Sequence, residues 1–147
     1  MQNKTLVIIK RDTIKRRLVG KIITRFEEAE PKIKITRVMY RQFPRPVFEE
    51  HYKHIKNKVP SLLFEDIIKF MSSGPLWFLE LTGEDAARRV KEMAGATDPE
   101  AALPGTIRGD LGVDSLEMAI MELRAVRNLI HASDPEAAEK EIKRFFE

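Results

Sequence analysis

Three residues of this 147-residue chain have side chains that can bind phosphate or act as a nucleophile, and they lie at predicted strand ends or in a loop. Functional sites are usually built at such positions. Lys10 ends the apolar run TLVIIK, Arg108 lies in the loop sequence PGTIRGD, and His131 follows the apolar run NLI. A histidine at such a position can act as a base, a metal ligand or a nucleophile. Lysine and arginine bind phosphate oxygens through charge-assisted hydrogen bonds. The alternatives are packing or capping for His131 and an ion pair with Asp110 for Arg108.

Several kinds of site are excluded by what the sequence lacks. Neither glycine-rich phosphate-binding pattern, GxxxxGK[ST] or GxGxxG, occurs, so a phosphate would be held by side chains and a loop. The absence of cysteine excludes thiol nucleophiles, cysteine-ligated zinc and iron–sulfur clusters. His51 and His54 lie on a polar segment without a third type of metal ligand nearby. The polar segment favours surface positions for both, and the missing third ligand argues against a metal site there.

Charge and hydropathy indicate the class of protein. The chain carries 26 Lys and Arg against 23 Asp and Glu, and its net charge of +3 is too small to require a nucleic-acid partner. The basic residues concentrate in the first third, which fits either a phosphate-bearing ligand or a solvated helix face. No apolar run is long enough for a membrane span or a signal sequence. We expect a soluble, cytoplasmic protein with no membrane partner.

Four apolar, β-branched or alternating runs predict the strands. These are Thr5–Lys10, Lys32–Tyr40, Leu76–Leu81 and Asn128–Ile130. Helical patterns separate them, in the order β-α-β-α-α-β-α-loop-α-β-α, and predict a single domain over residues 1–147. Two architectures fit this order: a ferredoxin-like sheet with added helices, or a small doubly wound parallel sheet. The pattern alone leaves both open.

Capping signals and one long loop refine this prediction. Asp12 is expected to cap a helix that runs to about Glu30-Pro31, and Asp114 with Glu117 forms a capping box for a short helix. The segment Ser133–Glu136 is expected to begin the final helix. The aperiodic stretch 97–110 is unusually long, and connections of that length are commonly functional.

A set of short motifs, taken together and in order, resembles the nucleoside diphosphate kinase family. The motifs are Lys10-x-Asp12, Leu18-Val19-Gly20, His51-Tyr52, Ser73-Gly74-Pro75, GATDP at 95–99, PGTIRGD at 104–110 and NLIHASD at 128–134. The resemblance runs from Thr5 to Phe146, and the last two motifs in this order are highly specific. It implies an α+β fold, a ferredoxin-like α/β sandwich with a four-stranded antiparallel sheet and added helices.

The resemblance also implies a reaction. Family members move the terminal phosphate of a nucleoside triphosphate to a nucleoside diphosphate by a ping-pong mechanism through a phosphohistidine, which by its place in NxxHxSD would be His131. Neutral imidazole is a good nucleophile at pH 7, and Lys10 and Arg108 would supply positive charge around the phosphate. Lys10 would also bind the ribose hydroxyl, Tyr52 would help fix the histidine and the phosphate, and Glu141 would orient the imidazole.

Further nucleotide contacts follow from the same resemblance. Thr97 would bind a phosphate oxygen, Asn128 the sugar or the terminal phosphate, and Lys91 stands where the family has a phosphate-binding arginine. The base-stacking aromatic of the family falls at Leu63 or Phe64, depending on how an insertion at 57–62 is aligned.

The resemblance implies a metal and an assembly as well. Mg²⁺ would arrive with the nucleotide, held mostly by its phosphates, with Asp134 reaching it through water. The family builds dimers through the second strand, and tetramers or hexamers from dimers. We expect a homo-oligomer of at least two subunits, with the hexamer as the leading assignment.

The sequence departs from the family pattern at several positions. Arg11 replaces the usual proline, Arg17 the glycine before Leu18, and Lys91 the arginine already noted. One residue is missing between His131 and Ala138, which bears on the assignment of Glu141. Residues 111–127 form a longer segment than in short family members.

Two other classes of function are alternatives for this sequence. One is a catalytically weak or inactive binding or scaffold domain that retains the fold. The other is a small basic nucleic-acid-binding domain, which would need aromatic side chains on an exposed sheet face, and no RNP-like run occurs. The enzyme is favoured because the whole set of site residues is present: Lys10, Tyr52, Thr97, Arg108, Asn128 and His131.

Overall fold

The structure, a computed structural model, describes residues 1–147 and contains one four-stranded sheet. Its strands are β1 (Gln2–Ile9), β2 (Ile33–Arg41), β3 (Leu76–Glu84) and β4 (Ile130–Ala132). They lie in the order β2-β3-β1-β4, and every neighbouring pair is antiparallel. The ferredoxin-like prediction is therefore confirmed, and the doubly wound parallel sheet is excluded.

Eight helices connect or cover the strands. They are α1 (Arg11–Lys15), α2 (Val19–Glu27), α3 (Arg45–His51), α4 (Ser61–Ser72), α5 (Ala86–Ala94), α6 (Ile107–Leu111), α7 (Leu116–Met121) and α8 (Ala138–Phe146). Single 3₁₀ turns lie at Lys53–Ile55 and Pro99–Ala101. None of the helices combines the length and the apolar character that a membrane crossing requires.

The sheet separates two apolar cores because alternate side chains of a strand point to opposite faces. In β1, Val7 and Ile9 pack with α2 and α5, while Leu6 and Ile8 pack with α3, α4 and α8. The last five residues of β1 are completely buried, as expected for a central strand covered on both faces. The chain that follows β1 therefore emerges at the middle of the sheet, beside the start of β4, where Ile9 pairs with Ile130.

The predicted first helix is interrupted. Helix α1 ends at Lys15 and α2 begins at Val19, and between them Arg17 has a φ of +59°. This left-handed conformation ends the helix. It brings the Arg17 Cβ too close to the backbone, and the glycine that the family has at this position would avoid that clash because it has no Cβ. The N-cap of α1 is Lys10, so the prediction that Asp12 caps this helix is wrong.

Two other predicted helix starts are also wrong. Helix α7 is capped by Ser115, whose hydroxyl accepts a hydrogen bond from the Met118 N–H. The Asp114 carboxylate instead binds the guanidinium of Arg124. Helix α8 begins only at Ala138, because the chain first makes a turn after β4.

Strand β4 begins two residues later than predicted because Leu129 has a φ of +76°. This backbone conformation is rare for a residue with a side chain, and Leu129 is fully buried. Its N–H donates to Asp12 Oδ2 (2.9 Å), and its carbonyl accepts from Thr13 Oγ1 (2.6 Å) and from the Lys10 N–H (3.0 Å). These three bonds from the end of β1 hold the strained turn that leads into His131.

We predict that Arg17→Gly raises the free energy of unfolding by about 1 kcal/mol, because glycine adopts the left-handed conformation without the Cβ clash. Arg17 is exposed and its side chain makes no hydrogen bond, so little is lost. Urea denaturation measures the change. Lys15→Gly, at an exposed position inside α1, is the matched control and should lower the stability. A destabilised Arg17→Gly variant would contradict this explanation of the break.

Candidate active site

His131 occupies the middle position of β4, where it pairs with Ile8 of the central strand. Its side chain is 21% exposed, and its Nε2 lies 2.7 Å from Glu141 Oε1. Because an ionised carboxylate only accepts hydrogen bonds, Nε2 of the neutral ring carries the proton. The other ring nitrogen, Nδ1, therefore has a free lone pair.

Glu141 is held in its ionised form by its neighbours. Burial by itself would raise the pKa of this carboxyl. The hydrogen bond and charge interaction with His131 outweigh burial, with smaller contributions from His51 and the Ser133 hydroxyl, and lower the pKa to about 2. Ser133 Oγ donates to the same carboxylate oxygen at 2.5 Å. In spite of the missing residue before α8, the chain thus brings the Glu141 carboxylate to the His131 ring.

Lys10 follows β1 directly and is buried beside the start of β4, with only 7% of its surface exposed. Its Nζ donates to Asn128 Oδ1 (2.9 Å) and to the Val126 carbonyl (3.3 Å). Burial, with smaller contributions from Arg108 and Arg127, lowers the pKa to about 8. The amine remains mostly protonated at pH 7 and has no ion-pair partner there.

Arg108, in α6, is a buried cation without a carboxylate partner. Its guanidinium donates one hydrogen bond from each nitrogen to backbone carbonyls, those of Gly95 (2.9 Å), Asn128 (3.0 Å) and Ile130 (2.6 Å). Burial lowers its pKa to about 10, so it stays charged. The alternative ion pair with Asp110 does not form, because Asp110 binds Arg25 at 2.8 Å. An uncompensated buried charge of this kind is expected where an anion binds.

Asn128 joins three segments at the site. It is 4% exposed, and while its Oδ1 accepts from Lys10, its Nδ2 donates to the Thr97 carbonyl at 3.0 Å. The Thr97 side chain is exposed, so its hydroxyl is available to a ligand. The end of β1, the loop after α5 and the entry to β4 are thereby brought together.

Lys91 lies on α5 and reaches the far end of β4. Its Nζ is 2.9 Å from Asp134 Oδ1 and 3.3 Å from the Ala132 carbonyl. Arg88, one helical turn earlier, is occupied by ion pairs with acidic residues of its own segment, Asp85 and Glu92. Lys91 is therefore the cation of α5 nearest to the histidine strand.

The interpretation of His51 as a surface residue is wrong. His51 is 3% exposed, and its ring lies edge-on to His131 with 4.6 Å between centroids, whereas His54 is exposed as predicted. Phe48, one turn earlier on α3, is also buried, and this i, i+3 spacing was the signal for an inward-facing histidine. Tyr52 follows at the C-cap of α3, partly buried, with its ring 4.6 Å from His51. Burial raises the pKa of its hydroxyl, which stays protonated.

Leu63 and Phe64, the two candidates for stacking on the base, are buried in this structure. Leu63 and Phe64 are each 5% exposed, and Phe64 belongs to the apolar core that also contains Phe48. Helix α4 begins at Ser61, and its period turns these two side chains inward while Leu62 is 65% exposed. A base could not stack on Phe64 without opening the core.

His51, His131 and Glu141 also resemble a metal-binding group, since one ligand atom from each lies within 4.8 Å of the others. The hydrogen bonds argue against a metal there. Arg144 Nη1 lies 2.8 Å from His51 Nδ1 and can only donate, so Nε2 of this neutral ring carries a proton. In His131 the nitrogen near Glu141 is likewise protonated. No lone pair of the two rings is free on the side of the carboxylate.

Known relatives match nearly the whole chain. A protein-family model described as nucleoside diphosphate kinase matches residues 3–147. The nucleoside diphosphate kinase of Acetivibrio thermocellus is 44% identical over 144 residues, which cover 97% of this chain and 95% of that protein. That of Pyrococcus furiosus is 42% identical over 144 residues, which cover 97% of this chain and 82% of that protein.

Solved structures agree in fold and in sequence. A transition-state mimic of the Borrelia burgdorferi nucleoside-diphosphate kinase, with bound vanadate and ADP, has a TM-score of 0.91 at 32% identity and covers 99% of this chain and 88% of that one. The Halobacterium salinarum nucleoside diphosphate kinase in complex with CDP has a TM-score of 0.85 at 36% identity and covers 100% of this chain and 89% of that one. The chain thus belongs to the nucleoside diphosphate kinase family, and it is a phosphotransferase that moves the terminal phosphate of a nucleoside triphosphate to a nucleoside diphosphate.

Proposed function

We propose that His131 is the nucleophile of this transfer and carries the phosphate between the two nucleotides. One observation supports this above the others: the hydrogen bond to Glu141 occupies Nε2 of the ring and leaves the Nδ1 lone pair free. Lys10 and Arg108 supply buried positive charge near the same strand end. Phosphoryl transfer depends mainly on such positioning and charge stabilisation.

The reaction proceeds in two balanced halves. His131 Nδ1 attacks the terminal phosphorus, the Nδ1–P bond forms, and the bond from that phosphorus to the bridging oxygen breaks, so a nucleoside diphosphate leaves with the electron pair. The ring, now with substituents on both nitrogens, is positively charged, and the Glu141 carboxylate stabilises it. A terminal oxygen of a second nucleoside diphosphate then attacks the phosphorus and forms an O–P bond. The Nδ1–P bond breaks, its electron pair returns to Nδ1, and the histidine is neutral again.

The remaining site residues bind the nucleotide. Three of the five guanidinium N–H groups of Arg108 are used by backbone carbonyls, which leaves two for phosphate oxygens. Thr97 offers its exposed hydroxyl to a phosphate oxygen, and Lys10 with Asn128 offers a donor pair to the ribose and the terminal phosphate. The protonated Tyr52 hydroxyl donates to the phosphate beside His131.

Mg²⁺ is the metal we propose to accompany the nucleotide. It prefers oxygen ligands, keeps several waters and is commonly held by substrate phosphates with one or two carboxylates. The donor set fits, because Asp134 is the exposed carboxylate at the end of β4 and can reach the ion through water. When bound, the ion neutralises charge on the phosphate oxygens.

We also propose that the chain forms at least a dimer through β2, with the hexamer as the leading assembly. Strand β2 lies at one edge of the sheet, and an edge presents unpaired backbone groups to a partner. Two of its apolar side chains, Val38 and Tyr40, are 53% and 52% exposed. Pairing this edge with its twin about a two-fold axis would bury both features.

His131→Ala is predicted to abolish transfer, because no other side chain offers a free imidazole nitrogen at this position. With γ-labelled ATP, the native protein should acquire an acid-labile, base-stable label, and the variant none. His54→Ala, which alters the exposed histidine, is the matched control and should be labelled normally. Labelling that persists in His131→Ala would overturn the assignment.

Lys91→Ala is predicted to weaken ADP binding by roughly 1–3 kcal/mol, the range for a charged hydrogen bond. Lys91→Arg should retain or tighten binding, because a guanidinium grips phosphate through two parallel bonds. Calorimetric titration with ADP gives both dissociation constants. Arg88→Ala is the control expected to leave the constant unchanged, since its side chain is held by Asp85 and Glu92. An unchanged constant in Lys91→Ala would show that this lysine does not contact phosphate.

We predict that the assembly at micromolar protein concentration has a mass of at least twice the subunit mass of 17.0 kDa, measured by light scattering. The physical reason is the open β2 edge with its exposed apolar side chains. A mass of one subunit would refute the dimer, and a mass of two subunits would refute the hexamer alone.

A further inference from the structure

Behind the catalytic histidine, α3 and α8 bring His51 and Arg144 together. Arg144 Nη1 lies 2.8 Å from His51 Nδ1. A guanidinium has only donors, so His51 Nδ1 must accept and the ring proton must be on Nε2. The Arg144 side chain therefore determines both the position and the tautomer of the His51 ring.

The His51 ring is itself packed against the His131 ring. Their centroids are 4.6 Å apart and their planes meet at 79°. Tyr52 and Phe145 contact His51 in the same edge-on manner, at 4.6 and 5.2 Å. Burial, followed by the proximity of His131, lowers the pKa of His51 to about 3, so the ring is uncharged at pH 7 and does not compete with His131 for the Glu141 carboxylate as a cation would.

An unpaired atom shows that packing is not the whole role of His51. Its Nε2 is buried and has no hydrogen-bond partner. A buried donor left unpaired costs about 1–3 kcal/mol, a cost that a phenylalanine of similar shape would avoid. Unlike a phenyl ring, the imidazole of His51 has an Nδ1 acceptor, and this atom binds Arg144.

Helix α8 thus orients two histidines from one face. Glu141 and Arg144 are three residues apart, and side chains at this spacing lie on the same side of a helix. The carboxylate accepts from His131 Nε2, and the guanidinium donates to His51 Nδ1. Opposite charges on α8 therefore leave both rings with the proton on Nε2.

We propose that His51 and Arg144 are positioning residues for His131: Arg144 fixes the His51 ring, and this ring fixes the plane in which the His131 imidazole meets Glu141. This inference rests on the proposed role of His131. In this proposal both residues act through the His131 ring, whose rotation they limit, and not through contact with the nucleotide. Small misplacements of reacting groups are costly in rate.

The test compares Arg144→Ala with Lys143→Ala, an exposed neighbour on the same helix. In a single turnover with ATP, Arg144→Ala should phosphorylate His131 about ten- to a hundredfold more slowly, with an unchanged dissociation constant for ADP. Lys143→Ala should behave as the native protein. Arg144→Lys, which keeps a charged donor, should recover part of the rate.

His51→Phe isolates the contact between the two residues. This variant keeps a packed ring but loses the acceptor, so its rate should match that of Arg144→Ala. The double variant should be no slower than either single variant, because both changes break one interaction. Additive losses would overturn the proposal.

Spectra of the native protein test the tautomer of His51, and spectra of Arg144→Ala test its effect on His131. In ¹⁵N spectra of protein labelled at histidine, His51 should show a protonated Nε2 and an unprotonated Nδ1, and in Arg144→Ala the His131 signals should shift toward a mixture of tautomers. A protonated Nδ1 in native His51, or a native rate and spectrum in Arg144→Ala, would overturn the proposal. Native protein that forms no phosphohistidine at His131 would overturn the proposed function itself.

Discussion

The hydrogen bond between Glu141 Oε1 and His131 Nε2 is the contact on which the proposed chemistry depends. Imidazole has two nitrogens, and a free ring in water exchanges its proton between them. A buried, ionised carboxylate at 2.7 Å assigns that proton to Nε2 and leaves the Nδ1 lone pair free for the attack proposed above. It also provides the negative charge that the ring needs once it carries a phosphate. In the proposed reaction, the same bond both selects the reactive nitrogen and stabilises the phosphorylated ring.

The fold holds the two partners of this bond at fixed positions. His131 lies on an edge strand of only three residues, which by itself would be weakly held. The residues after β1 compensate, because Lys10, Asp12 and Thr13 hold the strained backbone of Leu129 with three hydrogen bonds. The completely buried central strand thus anchors β4, which carries His131, at its entry. Lys10 serves twice, through its backbone in this anchor and through its side chain in the site.

Sequence reasoning succeeded where the signal was local. The four apolar runs predicted the strands within a few residues, and the order of the motifs predicted that Lys10, Arg108, Asn128 and His131 share one site, where direct hydrogen bonds link the first three. Lys10 and His131 are recognisable because each is a polar residue next to an apolar strand, and Arg108 because it lies in a specific loop motif. Because β1 and β4 are antiparallel neighbours, the end of β1 and the start of β4 meet at the same edge of the sheet.

The failures have three physical causes. A positive φ at Arg17 or Leu129 leaves no trace in hydrophobic periodicity, so one helix was predicted where two exist and β4 was placed too early. The inward face of α4 depends on where the helix begins, and this decides that Phe64 is core and not a surface for a base. The charged neighbours of His51 obscured the i, i+3 spacing from Phe48 that places it on the inward face of α3. The rings that bury it, chiefly those of His131 and Phe145, lie more than 75 positions away along the chain, so their contacts leave no local pattern.

The most direct test of the central claim is to identify which nitrogen of His131 carries the phosphate. Protein labelled with ¹⁵N at histidine, phosphorylated with ATP and kept at alkaline pH, gives distinct ¹⁵N shifts and phosphorus couplings for the two ring nitrogens. The Glu141 hydrogen bond predicts phosphorus on Nδ1 and a proton on Nε2. Phosphorus on Nε2 would contradict the account, because that nitrogen could not then donate to the carboxylate.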